Sequence, residues 1–210
     1  VAAAALAIAV WAGAAAASAL TGIPITQRIG PDEYRAAPGL WSIAAAPGKV
    51  YVASLDGVLI YDGTEWTTVP LPVGVNATIV RRLQDGTVMV GGNDTYGRLE
   101  HDALQGYRYV DLLASGGLPE AERRLGPVWE ILQTPEGVYV QSQHFIHLLP
   151  ANGGATLSWP VGPDMRSMLA FGGDLYARIE GRGLGWLRGG EHQLLPGGAT
   201  FANSPVAGVV

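Results

Sequence analysis

The stretch VYVASLDGVLIYDG, from Val50 to Gly63, contains two short runs of β-branched and aromatic residues around Leu55-Asp56-Gly57. Such runs are typical of β-strands. Asp-Gly steps are typical of tight turns, because glycine adopts a positive φ at no steric cost. The stretch therefore predicts a β-hairpin, with a further turn at Asp62-Gly63.

The same four-part pattern occurs four times along the chain. Each unit has an apolar run, a glycine turn, a second run, a short loop, a third run, another glycine turn and a fourth run. The first runs begin at Leu40, Ile79, Val128 and Arg166, the second at Val50, Val88, Val138 and Leu175, the third at Gly57, Gly97, Phe145 and Gly183, and the fourth at Trp66, Tyr107, Thr156 and His192. Four strands per unit, at a period of roughly 36 to 50 residues, indicate β-propeller blades.

We therefore predict an all-β fold with four four-stranded antiparallel blades, over residues 39–72, 78–112, 127–161 and 166–197, and the start of a fifth near residue 206. A β-sandwich of many short strands has similar turn spacing and is the alternative fold. The second runs are apolar at nearly every position, as in strands covered on both faces. Three fourth runs contain proline, which places the fourth strand at the outer rim because proline is tolerated mainly at a sheet edge.

The first residues have a different composition from the rest. Residues 1–19 are small, apolar and uncharged, and end in Ala17-Ser18-Ala19, which is typical of a secretory signal peptide and its cleavage site. A membrane anchor is the alternative, since about 20 apolar residues can span a bilayer. Both interpretations place the remainder outside the cytoplasm, with residues 20–38 leading into the propeller.

The overall composition excludes several function classes. The net charge of −5 and the 13 thinly spread Lys and Arg residues give no footprint for nucleic acid. The chain has no Cys, which excludes disulfides, thiolate metal sites and a Cys nucleophile. We expect no cofactor, and contact with a membrane only through the first residues.

Several patterns resemble catalytic or metal sites without meeting their requirements. His144 and His147 have an odd separation on a predicted strand, so their side chains should lie on opposite faces and not share a metal ion. Residues 181–185 are rich in glycine but open no helix, so they predict a turn and not a phosphate site. No Gly-x-Ser-x-Gly elbow or repeated carboxylate pair occurs. We expect no catalysis and no metal in these residues.

A binding site on a propeller should lie on the face where the loops between second and third strands meet the loops between blades. That face should present Ser54, Asp56, Asn93, Asp94, Tyr96, Gln143, His144, Glu180 and Arg182. From these we select Asn93, Asp94, Tyr96, Gln143 and Arg182 as candidate ligand-binding residues.

Three further features concern tryptophan and an unusual loop. Trp41 and Trp129 hold equivalent places in first strands, so we expect both in the core between blades. Trp66 and Trp159 fall on rim strands, where contact with a partner is conceivable. Residues 114–127 interrupt the repeat with a predicted helical turn around Glu120, and we expect this segment to be a surface loop, with a lid or a partner contact as the alternatives.

The residues from Ile23 onward resemble the two-component-regulator propellers of bacteria. The likeness rests on Pro24, the Asp-x-Tyr pair at residues 32–34, the Trp-led first strand, and the blade VYVASLDGVLIYDGTEW. The units VGGNDTYGRLEHDALQGYRYVDLLASGGLPE and VWEILQTPEGVYVQS continue it. Relatives commonly carry "gvgefGyl" where this chain reads GNDTYGRL over residues 92–99, which indicates a different ligand preference.

The resemblance implies the periplasmic sensor of a signalling receptor whose output is a histidine kinase or a diguanylate cyclase. It implies as ligand a small molecule, a glycan or a periplasmic protein, and a homodimer among the assemblies of the full-length receptor. A secreted propeller hydrolase, lyase or quinoprotein is the alternative function, and a passive interaction scaffold is another. An enzyme would bring acid and base residues with shifted pKa values to the channel, whereas a sensor predicts a polar mouth with at most one charge.

Overall fold

The computed structural model describes residues 28–162 and 164–204. The predicted signal peptide over residues 1–19 and the start of a fifth blade near residue 206 lie outside these residues. In the described part, a short helix, α1 (Pro31–Tyr34), precedes sixteen strands. The strands are β1 (Leu40–Ala46), β2 (Lys49–Ser54), β3 (Gly57–Tyr61), β4 (Trp66–Val69), β5 (Ala77–Arg82), β6 (Val88–Gly92), β7 (Thr95–Asp102), β8 (Gly106–Asp111), β9 (Val128–Thr134), β10 (Gly137–Ser142), β11 (Phe145–Pro150), β12 (Leu157–Pro160), β13 (Met165–Phe171), β14 (Asp174–Ile179), β15 (Gly183–Arg188) and β16 (Glu191–Leu194).

The strands form four antiparallel sheets of four consecutive strands each, in the orders β1-β2-β3-β4, β5-β6-β7-β8, β9-β10-β11-β12 and β13-β14-β15-β16. Every strand coincides with one predicted run, and the all-β propeller fold is confirmed. Two 3-10 helices, Glu120–Arg123 and Gly198–Phe201, lie in connections that follow the second and fourth blades. The first confirms the helical turn expected there. No helix in the described residues is long and apolar enough to cross a membrane.

The turns follow from the Asp-Gly steps. Gly57, which starts β3, has a φ of 119°, and a side chain there would collide with the carbonyl oxygen of Val69 on the neighbouring strand. Gly63 and Gly86 also have positive φ values. The glycines therefore allow the chain to reverse direction at these turns without backbone strain, and Gly57 allows its strand to approach the neighbouring strand closely.

The core lies between blades, and the second strands are its centre. Every residue of β6 is buried, and most residues of β2 and β10 are. One cluster joins the first two blades through Ala53 and Val80, and a second joins the next pair through Ile79 and Val128. A third joins Tyr139 of the third blade to Met168 and other residues of the fourth. This confirms that the second strands are covered on both faces.

The side of the first blade that faces away from the second is partly covered by α1. Tyr34 is buried there in a cluster with Val52 and Leu59, and its ring makes an edge contact with Trp66 at 6.0 Å between centroids. The backbone N–H of Gly30 donates to the Glu33 carboxylate, which caps the first turn of the helix. The segment that precedes the propeller thus takes the place of a neighbouring blade over this patch.

Hydrogen bonds join the first strands of the first three blades around the channel. The Arg81 guanidinium donates to both carboxylate oxygens of Glu130, at 3.0 and 3.2 Å, and also to the Ser42 hydroxyl. The backbone N–H of Gln84 donates to the side-chain oxygen of Gln133 at 2.7 Å. Because a forked guanidinium fits a carboxylate in one geometry, these contacts fix the positions of β5 and β9 relative to each other.

Each first strand contains a β-bulge at the same position, which the sequence pattern did not reveal. One residue near the start of the strand has no partner in the ladder, so two residues stand opposite one. The extra residues are Trp41, Thr78, Trp129 and Arg166. The expectation that Trp41 and Trp129 are core residues is wrong, since their side chains are 61% and 58% exposed. A bulge interrupts the alternation of faces, so a tryptophan that the pattern assigns to the core is left exposed instead of being packed between blades.

The strand order predicts unequal effects of the same charge at two positions. Replacing buried Val52 with Asp removes roughly 1.5 to 3 kcal/mol of apolar burial and adds an unpaired buried charge, so we expect a loss of at least about 3 kcal/mol in the free energy of unfolding. Thr67→Asp, at an exposed position of β4, should change it by less than about 0.5 kcal/mol. Urea denaturation of both variants measures the difference. Equal losses would contradict the assigned strand order.

Candidate functional site

The loops between second and third strands and the connections between blades are joined by hydrogen bonds at one face. In the first blade, the Asp56 carboxylate accepts from the backbone N–H of Ala37 at 2.7 Å. In the third, the His144 N–H donates to the Leu125 carbonyl, and the Val161 N–H donates to the His144 carbonyl. In the fourth, the Glu180 N–H donates to the Asp164 carbonyl. These contacts confirm that the two kinds of loop share a face, which we call the loop face.

A cavity of about 760 Å³ opens on the loop face between the third and fourth blades. Its described lining comes from the first strand, second strand and following loop of the third blade, and from the connection into β13. The lining residues are Trp129, Gln141, Ser142, Gln143, His144, Val161, Gly162 and Met165. An aromatic ring, two side-chain amides, one hydroxyl and one imidazole thus border a volume that can hold a small organic molecule.

Gln141 is the unusual residue of this cavity. It is only 4% exposed, lies on the buried second strand β10, and its side chain borders the cavity. A side-chain amide can both donate and accept hydrogen bonds, so a ligand that fills the cavity can pair with it. The register places Ala53 in the first blade and Gly91 in the second at the equivalent position.

These small residues allow close packing at this level of the first two interfaces, whereas the third interface borders the cavity here. A side chain at Gly91 would collide with Val128 of the next blade, at 2.5 Å from its ideal Cβ. Ala53 belongs to the apolar cluster between the first two blades. In the third blade the equivalent residue is the larger and polar Gln141. It borders the cavity together with Met165 of the fourth blade.

The remaining polar groups differ in their availability. The Ser142 hydroxyl donates to the Phe145 carbonyl at 2.8 Å and accepts from its N–H, so it closes the β10–β11 turn. The side chains of Gln143 and His144 are exposed at the mouth, while their backbone N–H groups are bonded to Pro127 and Leu125. Trp129 is directed into the cavity by its bulge. Apart from His144, no described residue that lines the cavity is titratable.

The structure separates the five residues predicted to bind a ligand. Only Gln143 lines the cavity. The Asn93 side chain bonds to Asn76, and the Asp94 carboxylate accepts from the Gly126 N–H, so both are used between loops. Arg182 is exposed in the β14–β15 turn and does not belong to the described lining of the cavity. The residue that the pattern could have identified is Gln141, a polar residue that directly follows the apolar residues Val138 to Val140 of a buried second strand.

Tyr96 does not face the mouth, contrary to our expectation. It is fully buried between the second and third blades, where its hydroxyl lies 3.2 Å from Nδ1 of His147. Burial raises the pKa of Tyr96 and lowers that of His147. The Nε2 atom of His147 is buried and makes no hydrogen bond of good geometry with the described residues, while the backbone and the charge of nearby Glu122 oppose the effect of burial on the pKa of His147. His147 is buried on β11, whereas His144 is exposed in the turn that precedes this strand. No group of three or more His, Asp or Glu residues able to hold a metal occurs in the described part of the chain.

Comparison with solved structures supports the fold. The extracellular domain of BT4673, a hybrid two-component system of B. thetaiotaomicron, matches 71% of this chain with a TM-score of 0.55 and 17% identity. The extracellular domain of BT3049, a hybrid two-component system of the same organism, matches 82% with a TM-score of 0.52 and 16% identity. This chain covers 21% and 27% of those two chains, respectively.

A propeller enzyme shows a similar likeness. A catalytically inactive virginiamycin B lyase from Staphylococcus aureus, in a structure with quinupristin, matches 78% of this chain with a TM-score of 0.54 and 16% identity, and this chain covers 58% of it. No protein-family model matches the chain. No curated protein matches it either. At these identities the comparisons establish a β-propeller.

The buried imidazole predicts a stability that depends on pH. Since burial lowers the folded-state pKa of His147 below the 6.5 of a free imidazole, the unfolded chain binds this proton more readily. The stabilisation is fully present above pH 6.5 and is lost as the pH falls below that value towards the folded-state pKa. We expect urea denaturation to show this decline, with a smaller slope in His147→Gln than in the wild type.

The control is His144→Gln, which changes an exposed histidine and should keep the wild-type slope. Burial also lowers the pKa of His192, so some slope should persist in His147→Gln. Identical slopes in the wild type and His147→Gln would show that this imidazole is not buried in its neutral form.

Proposed function

We propose that the chain is a ligand-sensing propeller on the extracytoplasmic side of a bacterial signalling receptor of the two-component-regulator type. The observation that carries the proposal is the cavity between the third and fourth blades, with the amide of Gln141 and the indole of Trp129 on its walls. The likeness to extracellular domains of two-component systems supports the receptor context.

The lining of the cavity favours binding over acid–base catalysis. A hydrolase or lyase of that kind needs an acid and a base with tuned pKa values on the reacting groups. The described lining offers one titratable side chain, His144, and no carboxylate. The absence of Lys, Arg, Asp and Glu from this described lining favours a neutral ligand, either a small molecule or a glycan, over an ion or a protein partner.

Signalling requires that the ligand bind one arrangement of the blades more tightly than another. A ligand that contacts both Gln141 of the third blade and Met165 of the fourth binds best when the two blades are at one separation, and it stabilises that arrangement relative to others. The expected outputs are a histidine kinase or a diguanylate cyclase in the full-length, membrane-bound receptor, with a homodimer as the assembly that transmits the change.

Ligand binding is tested by screening neutral sugars and small metabolites against the full chain by thermal shift, followed by calorimetry on any hit. We expect Trp129→Ala to raise the dissociation constant by about tenfold or more, because aromatic residues that stack on a ligand are typical of those that dominate binding. Gln141→Met keeps the length of the side chain and removes the amide, so it should also raise the dissociation constant by about tenfold. The matched control is Trp41→Ala, at the same bulge of the first blade, which should bind like the wild type.

The same samples distinguish a sensor from an enzyme. Mass spectrometry of each bound compound after prolonged incubation should recover it unchanged. Conversion that is abolished by His144→Gln would replace the sensor proposal with a propeller enzyme.

The receptor context is tested on the gene. We expect the complete reading frame to encode a membrane-spanning helix and a cytoplasmic kinase or cyclase domain after the propeller. A reading frame that ends soon after the propeller closes would leave a secreted binding protein.

A further inference from the structure

The connection between the second and third blades, residues 112–127, is longer than the other connections between described blades. It is attached at its start, where the N–H groups of Leu112 and Leu113 both donate to the Tyr96 carbonyl. It is also attached by apolar burial, since Leu113 and Leu125 are 3% and 1% exposed within the cluster between these blades. The segment is therefore a packed part of the loop face and not simply a solvated loop.

The end of this segment supports one wall of the cavity. The Leu125 carbonyl accepts from the His144 N–H at 3.1 Å, and the Pro127 carbonyl accepts from the Gln143 N–H at 3.0 Å. Gly126, between them, lies against the Gln143 side chain, which is 2.9 Å from an ideal Cβ at that position. The location of Gln143 and His144 thus depends on where residues 125–127 lie.

Asp94, in the β6–β7 loop of the second blade, holds these residues from the other side. Its backbone N–H donates to the Gly126 carbonyl at 3.0 Å, and its carboxylate accepts from the Gly126 N–H at 2.7 Å. The second bond involves an ionised acceptor and is therefore stronger than a neutral one. Asp94 has a φ of 51°, a conformation uncommon outside glycine but tolerated by Asp and Asn.

We propose that Asp94 is a positioning residue, which clamps Gly126 so that residues 125–127 hold Gln143 and His144 in the wall of the cavity. The sequence pattern suggested that Asp94 contacts a ligand directly, whereas the structure gives it a role through the backbone of a different loop. The importance of this wall for binding rests on the proposed function, but the clamp itself is a property of the chain without ligand.

The clamp is tested by amide hydrogen exchange on the full chain without ligand. The variant is Asp94→Gly, because glycine keeps the positive φ and removes only the carboxylate. We expect the amides of Gln143 and His144 to exchange about ten- to a hundredfold faster, as for the loss of a charge-assisted hydrogen bond. Amides in the middle of β2 and β6 should keep their rates. Asp94→Asn, which keeps an acceptor oxygen and tolerates this backbone, should restore slow exchange.

The matched control is Asp56→Gly, since the Asp56 carboxylate also accepts a backbone N–H between loops, but at the first blade. It should leave the amides of Gln143 and His144 unchanged. Unchanged exchange of these two amides in Asp94→Gly would overturn the proposal, and so would a uniform increase across all blades, which indicates general destabilisation. Failure of the wild type to bind any neutral ligand would count against the proposed function and leave the exchange result valid.

Discussion

Each sheet of this protein has two apolar faces, and a single sheet can bury neither of them without a neighbour. The whole architecture depends on this constraint, because every second strand is covered on both sides only when blades stand next to each other. Close approach then requires small residues where blades meet, such as Ala53 and Gly91. The side of the first blade that faces away from the second is covered in part by Tyr34 of α1.

The cavity appears where this packing rule is broken. Gln141 stands at the position that a small residue occupies in the first two blades, and its side chain borders the cavity. Its amide can donate to and accept from a ligand that enters there. Binding between two blades also connects the ligand to the relative position of those blades, which a site within one blade would not do.

Much of the fold follows from local patterns, while the site does not. The four repeats, the strand order and the glycine turns are encoded in neighbouring residues, as in Val50 to Gly63, so the sequence alone predicts them. The pattern places Trp129 in the core because no residue in the run VWEILQ marks the bulge that shifts the alternation of faces. The pattern places Asp94 and Tyr96 at the mouth because it contains no sign of their partners, Gly126 and His147, which are far away in sequence. Contacts between loops of different blades leave no periodic pattern.

The bulge that is repeated in all four first strands separates the residues that must pair within a sheet from one residue per blade that need not pair. The extra residue contributes no pairing to its sheet, so its side chain can change while the ladder on either side stays the same. The four positions are now occupied by two tryptophans, a threonine and an arginine. These are therefore positions at which blades of one protein can differ in chemistry while keeping the same shape. A propeller built this way can change its specificity one blade at a time.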